Sequence, residues 1–168
     1  QPEVSQGMLQ ALFEYQSMIC ELTAMDVANS SMYDWASALG EAVRMAVRIN
    51  NRTDVVVPKL VHPERYATLQ TYVEPLKLQI KSVDYNPATG LLSLENLESQ
   101  VTEKTTAVYI ENPSYLGFIE TQVEEIARIA HNKGALFIVG VDPTSLGILR
   151  PAGDYGADIV IGEGQPLG

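Results

Sequence analysis

The sequence predicts an α/β fold in three layers, a mostly parallel sheet flanked by helices. Three observations carry that expectation. Short β-branched runs alternate with amphipathic helical stretches, which implies βαβ crossovers and hence parallel strands. A chain of 168 residues that is 46% hydrophobic can bury one substantial core. No internal repeat and no low-complexity linker divides it, so residues 1–168 are expected to form one domain.

From Gln6 to Thr23 the apolar residues Met8, Leu9, Leu12, Phe13, Tyr15, Ile19 and Cys20 recur at helical spacing and predict a first helix. Asp26 to Tyr33 is small and polar. The run Ala36 to Val47 is rich in good helix formers and predicts a second helix starting near Asp34. Thr53 to Pro58 reads as a buried strand, β-branched and closed by proline. His62-Pro63 opens the next helix, where the missing N–H of proline is harmless. Leu78 to Val83 alternates as a second strand, followed by the turn Asn86 to Gly90. A short helix over Leu94 to Val101 precedes a third strand, Thr106 to Ile110. Val123 to His131 is an amphipathic helix with Gly134 as its stop. Ala135 to Val141 and Asp158 to Ile161 complete five strands.

Charge and composition exclude several classes. Eleven Lys and Arg against 21 Asp and Glu give a net charge of -10, which disfavours nucleic acid or an anionic membrane as partner. No apolar run approaches the ~20 residues of a membrane span, and no signal-peptide pattern opens the chain. The single Cys20 allows neither an internal disulfide nor a cysteine-based zinc cluster, as expected of a cytoplasmic protein. His62 and His131 have no third ligand at metal spacing, so no metal site is expected. Gln1 is not an initiator methionine and Gly168 falls within a motif, so the chain reads as a piece of a longer protein.

In an open parallel sheet, ligands bind at the carboxyl ends of the strands. The segments there are Glu111 to Gly117, Asp142 to Ser145 and Gly162 to Gly168. Asn29 to Asp34, including Ser30 and Ser31, reads either as a phosphate cradle at a helix N-terminus or as an ordinary cap. Asp142 reads as a turn-capping aspartate. Tyr33 and Tyr115 lie in ligand-edge loops, able to face a partner's site or to pack. Gly162-x-Gly164-x-x-x-Gly168 resembles a dinucleotide loop, with a tight turn as the plainer reading. Glu124-Glu125 and Glu95-x-x-Glu98 read as solvated helix faces.

Five linked segments give a more specific resemblance: Gln6-Gly7-x-Leu9-Gln10, Ala28 to Asp34, Glu111-Asn112-Pro113-x-Tyr115-Leu116-Gly117, Val139 to Gly147, and Gly162 to Gly168. Together, and over essentially the whole chain, they resemble the first-subunit family of the two-chain glycine dehydrogenase (decarboxylating), the P-protein of the glycine cleavage system. That resemblance implies the large domain of a fold type I pyridoxal-phosphate enzyme. It also implies a complex with glycine dehydrogenase subunit 2, which decarboxylates glycine and passes the aminomethyl group to the lipoyl arm of the H-protein.

Departures from the family's catalytic chain are informative. The lysine that would hold pyridoxal phosphate falls near Gln165 or Pro166, and neither carries an amine. Leu39 stands where the resemblance places a ring-stacking histidine, and Trp35 stands where a small residue is expected. The cofactor is therefore expected on the partner subunit, with Ser30, Ser31 and Asp142 as candidate contacts and Tyr115 as a candidate contributor to catalysis. Two alternatives are a non-catalytic scaffold that stabilises the lysine-bearing partner, and an independent pyridoxal-phosphate aminotransferase or lyase whose lysine lies beyond residue 168.

Overall fold

The computed structural model describes residues 1–29 and 31–168. Five strands, β1 (Asp54–Pro58), β2 (Gln79–Val83), β3 (Thr105–Glu111), β4 (Leu136–Val141) and β5 (Ile159–Gly162), form one sheet in the order β2-β1-β3-β4-β5. Every neighbouring pair is parallel. The helices are α1 (Pro2–Thr23), α2 (Trp35–Asn50), α3 (Pro63–Val73), α4 (Leu94–Gln100) and α5 (Val123–Asn132). The expected α/β architecture is thus present, and each expected strand lies within two residues of its observed bounds. The 3-10 turns at Glu74–Leu76, Pro143–Gly147, Ala152–Tyr155 and Gln165–Leu167 are additional.

Alternation along the strands builds two cores, one on each face of the sheet. Val56, Val108, Ile110, Phe137 and Val139 point to the side covered by α4 and α5, where they meet Leu97 and Ile126. Val55, Val57, Tyr109 and Ile138 point to the other side, against Leu39 and Val43 of α2 and Leu69 of α3. All seven residues of β3 are buried, which marks it as the central strand.

Local chemistry sets the helix ends. The Asp34 side chain accepts from the Ser37 N–H at 2.7 Å, capping α2. The Ser93 hydroxyl caps α4 by accepting from the Asn96 N–H. At the start of α3, His62 Nδ1 accepts from the Glu64 N–H, beside Pro63 in the first turn. α1 ends at Ala24 in the left-handed conformation, φ 55°. There its carbonyl crowds Gly153, where a β-carbon would lie 1.9 Å from the Ala24 oxygen.

α1 differs from the other helices. Thr23 is its only buried residue, whereas α2 buries seven. The apolar run of the sequence divides: Leu12, Tyr15, Ile19 and Cys20 are half-buried, while Met8, Leu9 and Phe13 are exposed.

Candidate functional site

The strand order reverses direction between β1 and β3, because β2 lies on one side of β1 and β3 to β5 lie on the other. At this switch point the chain leaving β1 and the chain leaving β3 diverge and open a crevice at their carboxyl ends. Glu111, the last residue of β3, stands there with its side chain only 1% exposed.

That carboxylate is one member of a closed ring of four side chains. Arg65, in the first turn of α3, donates from Nη1 to Glu111 Oε1 at 2.9 Å. The Tyr109 hydroxyl donates to the same oxygen at 2.9 Å. Trp35 Nε1–H, at the first residue of α2, donates to the Tyr109 hydroxyl at 3.0 Å. The Arg65 guanidinium then closes the ring by lying 3.8 Å from the centroid of the Trp35 ring, a cation–π contact. One positive and one negative charge cancel within it. Burial, and next the Glu111 carboxylate, hold the Tyr109 hydroxyl protonated well above the usual tyrosine range. Among the described residues Glu111 Oε2 has no hydrogen-bond partner, although it is fully buried. A cavity of about 30 Å³ adjoins Glu111, walled by Pro58, Ile110, Ser114 and Phe118; that volume suits a single water molecule.

The loop after β3 stands above the ring. Asn112 fastens its base, accepting from the Glu120 N–H at 3.1 Å and donating to the Glu120 carbonyl at 3.3 Å. Within it, Ser114 N donates to Phe118 O, and Gly117 turns the chain with φ 84°. Tyr115 is left at the tip, 47% exposed, with its ring edge-on to His62 at 4.8 Å between centroids. Since His62 Nδ1 accepts from the Glu64 N–H, the neutral ring carries its proton on Nε2.

The remaining candidates occupy other positions. Ser31 is exposed ahead of α2, and Ser30 lies outside the described residues. Asp142 caps the turn that follows β4: its Oδ1 accepts from the Thr144 N–H at 2.9 Å and the Thr144 hydroxyl at 2.6 Å. Tyr33 is almost fully exposed. Gly162 and Gly164 serve tight packing; a β-carbon on Gly162 would lie 2.5 Å from the Val141 carbonyl oxygen. Glu124 is exposed and pairs with Arg150, and the half-buried Glu125 pairs with Arg128. Among the described residues no three potential metal-binding side chains cluster, and no helix is long and apolar enough to cross a membrane.

Sequence reasoning marked Trp35 and Tyr115 but missed Arg65, and it placed Glu111 in a ligand-edge segment without giving it a role. A signal was present for the latter, since a carboxylate that ends an otherwise apolar central strand needs a cationic partner.

The residues of this crevice do not fit pyridoxal phosphate. Trp35 is 8% exposed and fills the space in front of β4, where a β-carbon on Gly140 would lie 2.7 Å from its ring. The N-terminus of α2, where a phosphate would dock, is taken by the Asp34 carboxylate, whose hydrogen bond from the Ser37 backbone N–H holds its pKa below the usual aspartate value. Leu39 is wholly buried in the core and presents no ring to the crevice. After β5 the turn offers Gln165 and Pro166, not an amine.

Fold and crevice together define an open α/β domain with its switch point at β1 and β3, and comparison with known proteins makes this specific. The model of the family described as glycine cleavage system P-protein matches residues 1–168. The chain is 50% identical to a protein of Staphylothermus marinus and 51% identical to one of Pyrococcus furiosus, each named "Probable glycine dehydrogenase (decarboxylating) subunit 1". All of this chain is covered in both, against 36% and 38% of those relatives. A crystal structure of glycine decarboxylase (P-protein) of the glycine cleavage system, in inhibitor-bound form, superposes with a TM-score of 0.91 at 46% identity, over 99% of this chain and 37% of that one. The chain belongs to the glycine cleavage system P-protein family. Its fold is that of the fold type I large domain, and it spans a little over a third of the length of these relatives.

Proposed function

We propose that this chain is a domain of the lysine-lacking subunit of a glycine decarboxylase, which works only in complex with a lysine-bearing subunit 2. In this reading the partner carries pyridoxal phosphate, and the assembled enzyme decarboxylates glycine and transfers the aminomethyl group to the lipoyl group of the H-protein. The cofactor, when bound by the partner, supplies the electron sink for loss of carbon dioxide. The present chain supplies walls and positioned donors at the mouth of that site.

One observation carries the proposal: within the family's fold the strand-5 exit holds Gln165-Pro166, and the crevice before it is filled by Trp35. A domain so built cannot hold the cofactor itself, yet it keeps an exposed tyrosine on a fastened loop at the ligand edge. Tyr115, Ser31 and Ser30 are the residues proposed to approach the partner's site, with Asp142 holding the neighbouring turn. The filled crevice also favours a second reading, in which the domain only supports the partner; Tyr115 separates the two. It speaks against an independent aminotransferase or lyase, since a lysine further along the chain would still meet Trp35 in the crevice.

The test is reconstitution. Full-length chain, subunit 2 and lipoylated H-protein should together release carbon dioxide from glycine, and omission of either subunit should abolish release. Borohydride reduction with pyridoxal phosphate should label subunit 2 alone. Stoichiometric labelling of Lys59, Lys77, Lys81, Lys104 or Lys133 would refute the assignment.

A further inference from the structure

We propose that His62 is a positioning residue: its ring, held by the first turn of α3, sets the direction in which Tyr115 presents its hydroxyl. The inference rests on the reading of Tyr115 as a contributor at the partner's site and names what aims it.

The loop after β3 is fastened at its base and open at its tip. Asn112 and Glu120 close the base. Above them Ser114 N donates to Phe118 O, and Phe118 N donates to the Ser114 hydroxyl. The Phe118 ring is pressed against Gly90, where a β-carbon would lie 2.4 Å away. Tyr115 enters none of these bonds and is 47% exposed. A side chain so placed keeps its rotamer freedom unless a neighbour removes it. Its ring meets His62 edge-on at 4.8 Å between centroids, within the range of an attractive edge-to-face pair.

His62 is a rigid support. It precedes Pro63, which confines its backbone to the extended region, and it stands there at φ -55°, ψ 129°. Its Nδ1 accepts from the Glu64 N–H at 3.2 Å, which orients the ring. Three residues on, Arg65 Nη1 donates to Glu111 Oε1 at 2.9 Å, at the root of the same loop. One turn of α3 therefore grips the loop twice, at its root through Arg65 and at its tip through His62.

The residue type separates this role from capping. A cap alone favours Ser, Asp, Asn or Thr, whose short side chains reach the free N–H groups best. Asp34 does so on α2 at 2.7 Å. A histidine bonding at 3.2 Å is the weaker cap, and what it adds is a ring against Tyr115.

The experiment uses the full-length chain reconstituted with subunit 2 and lipoylated H-protein. Glycine decarboxylation by the complex and the melting temperature of the chain are read for each variant. His62→Ser keeps a capping oxygen and removes the ring: the melting temperature should hold, while turnover falls about 2- to 13-fold, the bias that an edge-to-face pair gives one arrangement. His62→Phe restores a ring on the same Pro63-fixed backbone and removes the cap: turnover should recover most of that loss while the melting temperature falls. A merely structural role gives the opposite order, with turnover following the melting temperature. In a Tyr115→Ala background His62→Ser should cost nothing further, because its effect runs through the absent ring. Unchanged turnover in His62→Ser overturns the proposal. So does turnover that stays low in folded His62→Phe, or a loss in the double variant equal to the product of the single losses. Wild-type turnover in Tyr115→Ala removes the reading of Tyr115 itself and the inference with it; a slow Tyr115→Ala beside an undisturbed His62→Ser removes the inference alone.

Discussion

Gly140 and Trp35 are fitted to each other across the sheet: a β-carbon on Gly140 would lie 2.7 Å from the indole ring and equally close to the Tyr109 hydroxyl. The glycine next to the last residue of β4 therefore makes room for the tryptophan at the start of α2. Because the indole Nε1–H donates to the Tyr109 hydroxyl and the Arg65 guanidinium lies over the ring face, the crevice is filled by a locked group and not by a side chain free to swing aside.

Gly140→Ala should destabilise the domain by about 1–3 kcal/mol through overpacking. Trp35→Ala should cost about 3–5 kcal/mol. In the double variant the added methyl group meets the space the indole has left, so the two losses should fall short of their sum, with a coupling of about 0.5–3 kcal/mol. Urea unfolding of the four proteins measures that coupling. Strict additivity would mean that the two residues do not share the space.

Glu111 gives a second contrast. Glu111→Ala leaves the half-buried Arg65 guanidinium and the buried Tyr109 hydroxyl without their acceptor, and should cost about 3 kcal/mol. Glu111→Gln keeps an acceptor in place and puts an amide where Oε2 now has no partner, so it should cost clearly less. Equal losses in thermal denaturation would show that the charge, and not the hydrogen-bond geometry, holds the ring.

The layered fold is legible in the sequence because its signals are local. Val55-Val56-Val57 and Val108-Tyr109-Ile110 lie in strands, Asp34 and Ser93 cap, and Pro63 opens a helix, each for a reason contained within a few residues. The ring at the crevice is different in kind. Arg65 and Glu111 are 46 residues apart and meet only because α3 and β3 converge at the switch point. Periodicity states which face of a helix is apolar, and it places Leu9 and Phe13 with Leu12 and Ile19. It does not state how much of that arc the same chain covers. Gly140, an isolated glycine inside a strand pattern, is the one sequence sign of the close approach that Trp35 makes.

Alkaline pH should weaken the fold through two tyrosines. Burial raises Tyr155 from 10.0 to about 12, and burial with the Glu111 carboxylate raises Tyr109 well above 10.0. Both hydroxyls stay protonated in the folded state while the unfolded chain loses its protons from about pH 10. Their contribution is thus complete below that pH and is lost as pH rises from there; for Tyr155 the loss is spent near pH 12. Unfolding free energies measured from pH 8 to 12 should fall steeply above pH 10, and Tyr155→Phe should flatten the fall. An unchanged slope in that variant would contradict the assignment.

Tyr115 should affect turnover of the assembled enzyme more than stability. Its loop is fastened at Asn112 and Glu120, and its ring rests edge-on against His62 while nearly half of the residue stays in solvent. Little packing is lost on removing the hydroxyl, so Tyr115→Phe should leave the melting temperature of the chain unchanged. If that hydroxyl donates to the partner's glycine site, its loss should slow decarboxylation by the equivalent of one hydrogen bond, about 0.5–1.5 kcal/mol, or roughly 2- to 13-fold in rate. Tyr115→Ala should slow it more, since the ring and its contact with His62 go as well. Glycine decarboxylation by the reconstituted complex, measured beside thermal denaturation of each variant, decides the matter. A lowered melting temperature with unchanged turnover would make Tyr115 a packing residue and leave the domain a support for its partner.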